Sequence, residues 1–187
     1  MFLRKLSRSF IGISSNNITL TALVIFLIFS AAVLPKQSAA VDIYSGSTGS
    51  PDLSLFYTSR NLYQMAEQYG SAGRDAYVHA RFSFDLIFPL IFTFFLVTSI
   101  SWILGVNTPK TSLWRILNLT PLLGMSFDFL ENITASIVMI RYPVLSPVSA
   151  GLAPIFTFFK WVFVGGSFLI LIISGFFGLF THKKANS

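Results

Sequence analysis

Four long apolar runs take up most of this 187-residue chain, and three of them carry ionisable side chains. A backbone inside hydrocarbon has no water to bond, so an apolar run of membrane length folds as a helix that closes its own N–H and C=O groups. Within the runs, Asp85, Asp128, Glu131 and Lys160 interrupt stretches of Phe, Leu, Ile and Val. A charge at the bilayer centre costs about 2.5–3.5 kcal/mol on insertion scales. Such residues therefore face a bundle interior, pair with one another or serve a pathway. The chain reads as an integral membrane protein with a polar site among its helices.

Composition narrows the classes further. Hydrophobic residues make up 53% of the chain and charged residues 11%, against about 25% charged in soluble domains. The net charge of +6 raises nucleic acid as a partner, but no basic cluster is interleaved with exposed aromatic positions. Lys and Arg sit instead at the ends of apolar runs, where they set orientation, and no nucleic-acid partner is expected. Cysteine is absent, which excludes disulfides, thiolate catalysis, Cys metal sites and a quinone-linked thiol oxidoreductase. The imidazoles are His79 and His182, at opposite ends of the topology, so neither a metal nor another cofactor is expected.

The first span covers about residues 18–35, from Ile18 through Leu34 to Pro35. Arg4, Lys5 and Arg8 before it and Ser38-Ala39-Ala40 after it also resemble a signal peptide, but an apolar region of 7–15 residues is usual there and this one is longer. An uncleaved span is expected. Residues 36–72 form an outer loop. Its part from Asp42 to Asp52 is rich in Gly and Ser and reads as flexible. A short amphipathic helix follows, capped by Thr58 or Ser59, with Leu62, Met65, Ala66 and Tyr69 at helical spacing and Gly70 at its end. Tyr57, Tyr63, Tyr69 and Tyr77 fit a headgroup interface, and a helix packed over the bundle mouth fits equally. The second span covers about 75–105 with a kink at Pro89, the third about 112–141 with an interruption at Pro121, and the fourth about 151–180, closed by His182-Lys183-Lys184. Residues 1–187 thus form a single membrane domain, an all-α bundle of four transmembrane helices with one extracytoplasmic loop.

Orientation follows from the distribution of Lys and Arg. With both termini inside, Arg4, Lys5, Arg8, Lys110, Arg115, Lys183 and Lys184 are cytoplasmic, and Lys36, Arg60, Arg74, Arg81 and Arg141 lie outside among four acidic residues. The expected location is the plasma membrane, multi-pass, with N- and C-termini cytoplasmic.

Depth and face bring the charges together. At about 1.5 Å per residue, Glu131 and Asn132 lie roughly 14–15 Å in from Arg141, and Lys160 lies roughly 15 Å in from Ala150. Pro121, Gly124, Asp128, Glu131, Asn132 and Ala135 recur at steps of three and four on one side of the third helix. Ala153, Thr157, Lys160, Val164 and Ser167 do so on the fourth, and Arg81 and Asp85 are one turn apart. Asp85, Asp128, Glu131, Asn132 and Lys160 are the candidate cavity lining, with Arg74, Tyr77 and Arg81 at an outer mouth. An interhelical brace is the competing reading of the same residues. As a cavity, the constellation suits a proton or cation path, a lipid or other apolar ligand with a polar head, or acid–base catalysis by Glu131 or Asp128. Catalysis ranks last, because no nucleophile–base pair is evident and no catalytic residue is named.

The stretch from Tyr57 to Trp161 resembles a group of small bacterial four-span membrane proteins of uncharacterised activity. Gly73-Arg74-Asp75-Ala76-Tyr77, Asp85 with Pro89, Asp128-Phe129-Leu130-Glu131-Asn132 and Lys160-Trp161 carry the likeness. It implies a four-helix bundle with inward-facing acidic residues and no known activity. The sequence reading is a non-enzymatic membrane protein whose charged cavity binds or passes a small ligand, lipid headgroup or ion. Its alternative is an accessory subunit of a larger membrane complex, with membrane lipids and other membrane subunits as the partners considered.

Overall fold

The computed structural model describes residues 2–185, apart from the side chains of Ser47 and residues 177–185. The polar stop at His182-Lys183-Lys184 falls outside the described side chains. Among the described residues the chain is all-helical. Its order is α1 (Phe2–Ile13), α2 (Asn16–Ser45), two 3-10 turns (Gly46–Thr48 and Pro51–Leu53), α3 (Ser59–Gln68), α4 (Gly70–Arg81), α5 (Phe84–Asn107), a 3-10 helix (Leu113–Leu119), α6 (Thr120–Arg141) and α7 (Pro147–Ala185). Four stretches are long and apolar enough to cross a membrane: Asn16–Ser45, Gly70–Asn107, Leu113–Arg141 and Pro147–Phe176.

Several boundaries differ from the sequence reading, each for a local reason. The first long helix does not stop at Pro35 but continues to Ser45. Proline removes one N–H, yet Ala31, Ala32, Ala39 and Ala40 on either side are the strongest helix formers. Residues 42–45 are therefore helical rather than part of a flexible loop. The second span is broken at Phe82-Ser83, seven residues ahead of Pro89. There the Ser83 hydroxyl donates to the His79 carbonyl at 2.6 Å, a bond that competes with the backbone ladder. Residues 113–119 form a 3-10 helix, and the α-helix begins only at Thr120. Pro121, without an N–H to give to Leu117, fits the first turn of that new helix and not an α-helix already under way. Pro147, read from the sequence as part of a turn, opens α7 for the same reason.

α3 is capped at its start by Thr58. Thr58 accepts from the Asn61 amide at 3.3 Å while the Asn61 side chain accepts from the Thr58 amide at 2.9 Å. Gly70, at φ +63, supplies the left-handed residue that separates α3 from α4.

Tertiary contacts divide the chain into two units. The first comprises Met1–Leu27, Ile91–Gly124 and Val162–Ser187, the second Ile28–Leu90 and Met125–Trp161. The first unit centres on Ala22, Phe95 and Leu96, with Phe26, Phe92 and Leu171 against them. The Phe26 and Phe95 rings stack at 4.9 Å. In the second unit, Leu62, Met65 and Ala66 of α3 pack with Tyr57, Tyr69, Tyr77, Ala135, Val138, Met139, Ala150 and Ala153 in one core. Charge is segregated between the units. Asp42, Asp52, Glu67, Asp75, Asp85, Asp128 and Glu131, all the acidic residues of the chain, belong to the second.

Candidate functional site

The site lies within the second unit and is built from two cations, each held by two carboxylates. On α6, steps of three and four carry Asp128, Glu131, Asn132 and Ala135 along one stripe. Glu131, Asn132 and Ala135 are buried and Asp128 is half-buried. On α7 the stripe is Ala153, Thr157 and Lys160, all buried. Lys160 Nζ stands 2.5 Å from Glu131 Oε2 and 3.4 Å from Asp128 Oδ1. The Glu131 side chain is fully enclosed, whereas Asp128 retains 19% exposure, so the lysine bridges an enclosed and an accessible carboxylate. Asn132 Nδ2 donates to Asp128 Oδ2 at 3.4 Å. Asn132 Oδ1 is buried without a donor among the described residues.

The second cation is Arg81, at the last position of α4. Its Nε lies 2.9 Å from Asp85 Oδ2 and its Nη1 forms an ion pair with Asp52. The guanidinium sits over the Tyr77 ring, 4.7 Å from the centroid. The Arg81–Asp85 pair spans the break at Phe82-Ser83, so one turn of spacing survives the change of helix. Tyr77, under the Arg81 guanidinium, shares one core with Ala135 of α6 and Ala153 of α7, which brings the two triads into one cluster. Four carboxylates in that cluster face two cations.

Aromatic side chains and the segment 46–58, with its two 3-10 turns, lie against it. Tyr44, Tyr69 and Tyr77 meet at ring separations of 5.3–6.4 Å. The hydroxyls of Thr157 and Tyr57 are hydrogen-bonded at 3.1 Å. Burial, and then the charge of the adjacent Glu131, push the Tyr57 phenol well above its usual value, so it stays a neutral hydroxyl. Tyr69 is raised too, chiefly by burial, and donates to the Gly49 carbonyl at 2.5 Å. Trp161 Nε1 donates to the Ser54 carbonyl at 3.2 Å. Segment 46–58 is thus fastened through Gly49, Asp52, Ser54 and Tyr57.

All five residues expected to line a cavity are in this cluster. Of the three assigned to an outer mouth, Tyr77 and Arg81 are buried inside it. Arg74 lies apart, donating to the Ala66 carbonyl at 2.9 Å and resting 5.1 Å from the Tyr142 ring centroid. Asp52, Tyr57 and Trp161 were not legible as site residues. Asp52 sits in a Gly/Ser-rich stretch with no periodicity, and only the fold brings it to Arg81. Among the described residues no group of three or more His, Cys, Asp or Glu side chains is placed to hold a metal ion. No family model, no curated protein and no solved structure matches the chain.

Proposed function

We propose that the chain is a multi-pass plasma-membrane protein whose buried charge cluster takes up and passes a small cation, a proton in the first instance. The observation that carries this reading is the surplus of carboxylates. Asp52, Asp85, Asp128 and Glu131 face only Arg81 and Lys160, a formal excess of two negative charges in a largely buried place. Uncompensated charge is costly to bury, so cations from outside make up the difference. A proton needs no coordination shell of its own and suits carboxylates already engaged with Lys and Arg.

Depth supports the reading as well. α6 has 22 residues, about 33 Å at the usual rise, close to the thickness of a hydrocarbon core of about 30 Å. Glu131 lies at its middle. Acidic residues at such depth are rare outside ion and proton pathways. In this reading Asp128, the more accessible carboxylate, exchanges with the pathway and Glu131 holds the interior position. Lys160 moves its attraction between the two. The segment around 46–58 and α3 is extracytoplasmic, and both termini are cytoplasmic, in keeping with the Lys/Arg distribution.

The test is reconstitution into liposomes loaded with a pH-sensitive dye, under an imposed potassium diffusion potential. Proton entry above empty vesicles, abolished by Asp128→Asn and by Glu131→Gln, is the expected result. Vesicles indistinguishable from empty ones would refute it. One observation favours a second reading, an accessory subunit with the cluster as its internal brace: each of the four carboxylates lies against a cation. Stoichiometric co-purification of other chains from the native membrane would select that reading.

A further inference from the structure

We infer that α1 is a docking surface for anionic phospholipid. The inference rests on the membrane location and is independent of the ion reading. α1 has 12 residues, about 18 Å of helix, too short to cross a bilayer. It carries three distinct sides. Ser7 is buried and Ile11 half-buried along an inner seam. Phe2, Leu3 and Ile13 are exposed, with Leu6 and Phe10 half-buried among them. Arg4, Lys5 and Arg8, at steps of three and four, are exposed together on the remaining side.

The helix is fixed in rotation by hydrogen bonds along its inner seam. Ser7 Oγ donates to the Arg115 carbonyl at 2.8 Å, and Asn118 Nδ2 reaches both the Ser7 carbonyl at 3.1 Å and Ser101 Oγ at 2.8 Å. A β-carbon placed on Gly105 would stand 3.0 Å from Ile11 Cγ2, so the seam is in close contact there too. The cations are therefore presented on a fixed face. Trp114, 69% exposed, and Leu113, 60% exposed, belong to the 3-10 helix against which α1 packs.

Charge identifies the occupant. Arg4 and Arg8 are like charges one turn apart, an arrangement that destabilises a helix unless an anion sits between them. The first unit contains no Asp or Glu to serve as that anion. Arg115 is engaged separately, with its guanidinium on the Gly105 and Thr108 carbonyls at 3.0 and 2.6 Å. A helix with cations on one side and exposed Phe, Leu and Ile on another fits the headgroup boundary, where phosphates meet the first and acyl chains the second. Anionic phospholipid supplies both in one molecule.

The experiment is native mass spectrometry of the full-length protein in detergent, with phosphatidylglycerol and phosphatidylcholine of equal chain length added in equal amounts. Phosphatidylglycerol should be retained preferentially. Joint Arg4→Gln, Lys5→Gln and Arg8→Gln substitution should reduce its affinity on the order of a hundred-fold while phosphatidylcholine retention stays unchanged. Arg8→Glu alone leaves the Ser7–Asn118 seam untouched and should weaken it about ten-fold or more, so misfolding of the triple variant cannot mask the answer. Equal retention of the two lipids, or undiminished phosphatidylglycerol retention in the variants, would overturn the inference. So would displacement of the lipid by an acidic peptide at matched charge, which would assign the face to a protein partner. Failure of the membrane location itself would show separately, as protein soluble without detergent.

Discussion

Removing the Lys160 ammonium tests the architecture of the cluster most directly. Its Nζ lies 2.5 Å from Glu131 Oε2, and the side chains are 7% and 0% exposed. At an effective dielectric of about 20, a pair at this separation attracts with a gross energy of about 7 kcal/mol. Desolvation offsets most of that, so the pair itself contributes little net stability. Lys160→Met behaves differently, because it leaves Glu131 enclosed with no cation beside it. The expected cost is about 3–5 kcal/mol. Glu131→Gln should cost less, since Lys160 keeps Asp128 at 3.4 Å. The double variant removes both charges and should recover much of the loss, giving a coupling energy of about 2–3 kcal/mol. Equilibrium unfolding in mixed dodecyl maltoside and dodecyl sulfate micelles, followed by near-ultraviolet circular dichroism, measures all four corners of the cycle. Polar contacts between membrane helices average about 0.6 kcal/mol. A coupling near that value, or a Lys160→Met cost below about 1 kcal/mol, would refute the enclosed ion pair as the organiser of this region.

Three further outcomes are expected. Trp161→Phe removes the 3.2 Å bond to the Ser54 carbonyl; it should cost about 1 kcal/mol and speed proteolysis within 46–58. Gly73→Ala should destabilise by about 1–3 kcal/mol in the same micelle assay, because a β-carbon there would stand 3.0 Å from Tyr69 Cβ and 3.2 Å from Tyr44 Cβ. Burial first, and then neighbouring Glu131, raise the Tyr57 phenol from 10.0, so the folded state favours the protonated hydroxyl. Its contribution is fully present below pH 10 and is lost as the pH rises beyond it. Stability at pH 7–9 should be insensitive to this group, and Tyr57→Phe should lessen the alkaline loss in a pH series of unfolding curves.

The inward stripes on α6 and α7 were legible because they depend on nothing but helical periodicity. Asp128, Glu131 and Asn132 on one helix, and Thr157 and Lys160 on the other, are separated by steps of three and four, and matching depths follow from the rise per residue. The same logic succeeded for Arg81 and Asp85, and it gave the four apolar stretches. It failed where proline decides between continuing a helix and beginning one. Pro35 lies inside α2, while Pro121 and Pro147 lie at helix starts, and all three look alike in a hydropathy pattern. It fails also for α1, where Arg4, Lys5 and Arg8 look in the sequence like no more than a flank of the first span. Asp52 was out of reach for a different reason. Its partner Arg81 is 29 residues away across two helices, and no local pattern encodes that closure.

Charge segregation underlies both the cluster and the proposed lipid surface. A unit with Arg and Lys but no Asp or Glu has little internal means of neutralising its cations, so those cations turn outward. Arg4, Lys5 and Arg8 do so, while Arg115 is instead spent on backbone carbonyls at the end of α5. The other unit has the opposite problem. It holds every acidic residue of the chain, and four of these carboxylates converge on Arg81 and Lys160. A purely structural brace would be satisfied by one carboxylate per cation, and each extra one adds repulsion and desolvation cost. Doubling the anions is useful when a cation must be shared or exchanged between two positions. The proposed function accounts in this way for Asp128 beside Glu131, one accessible and the other enclosed.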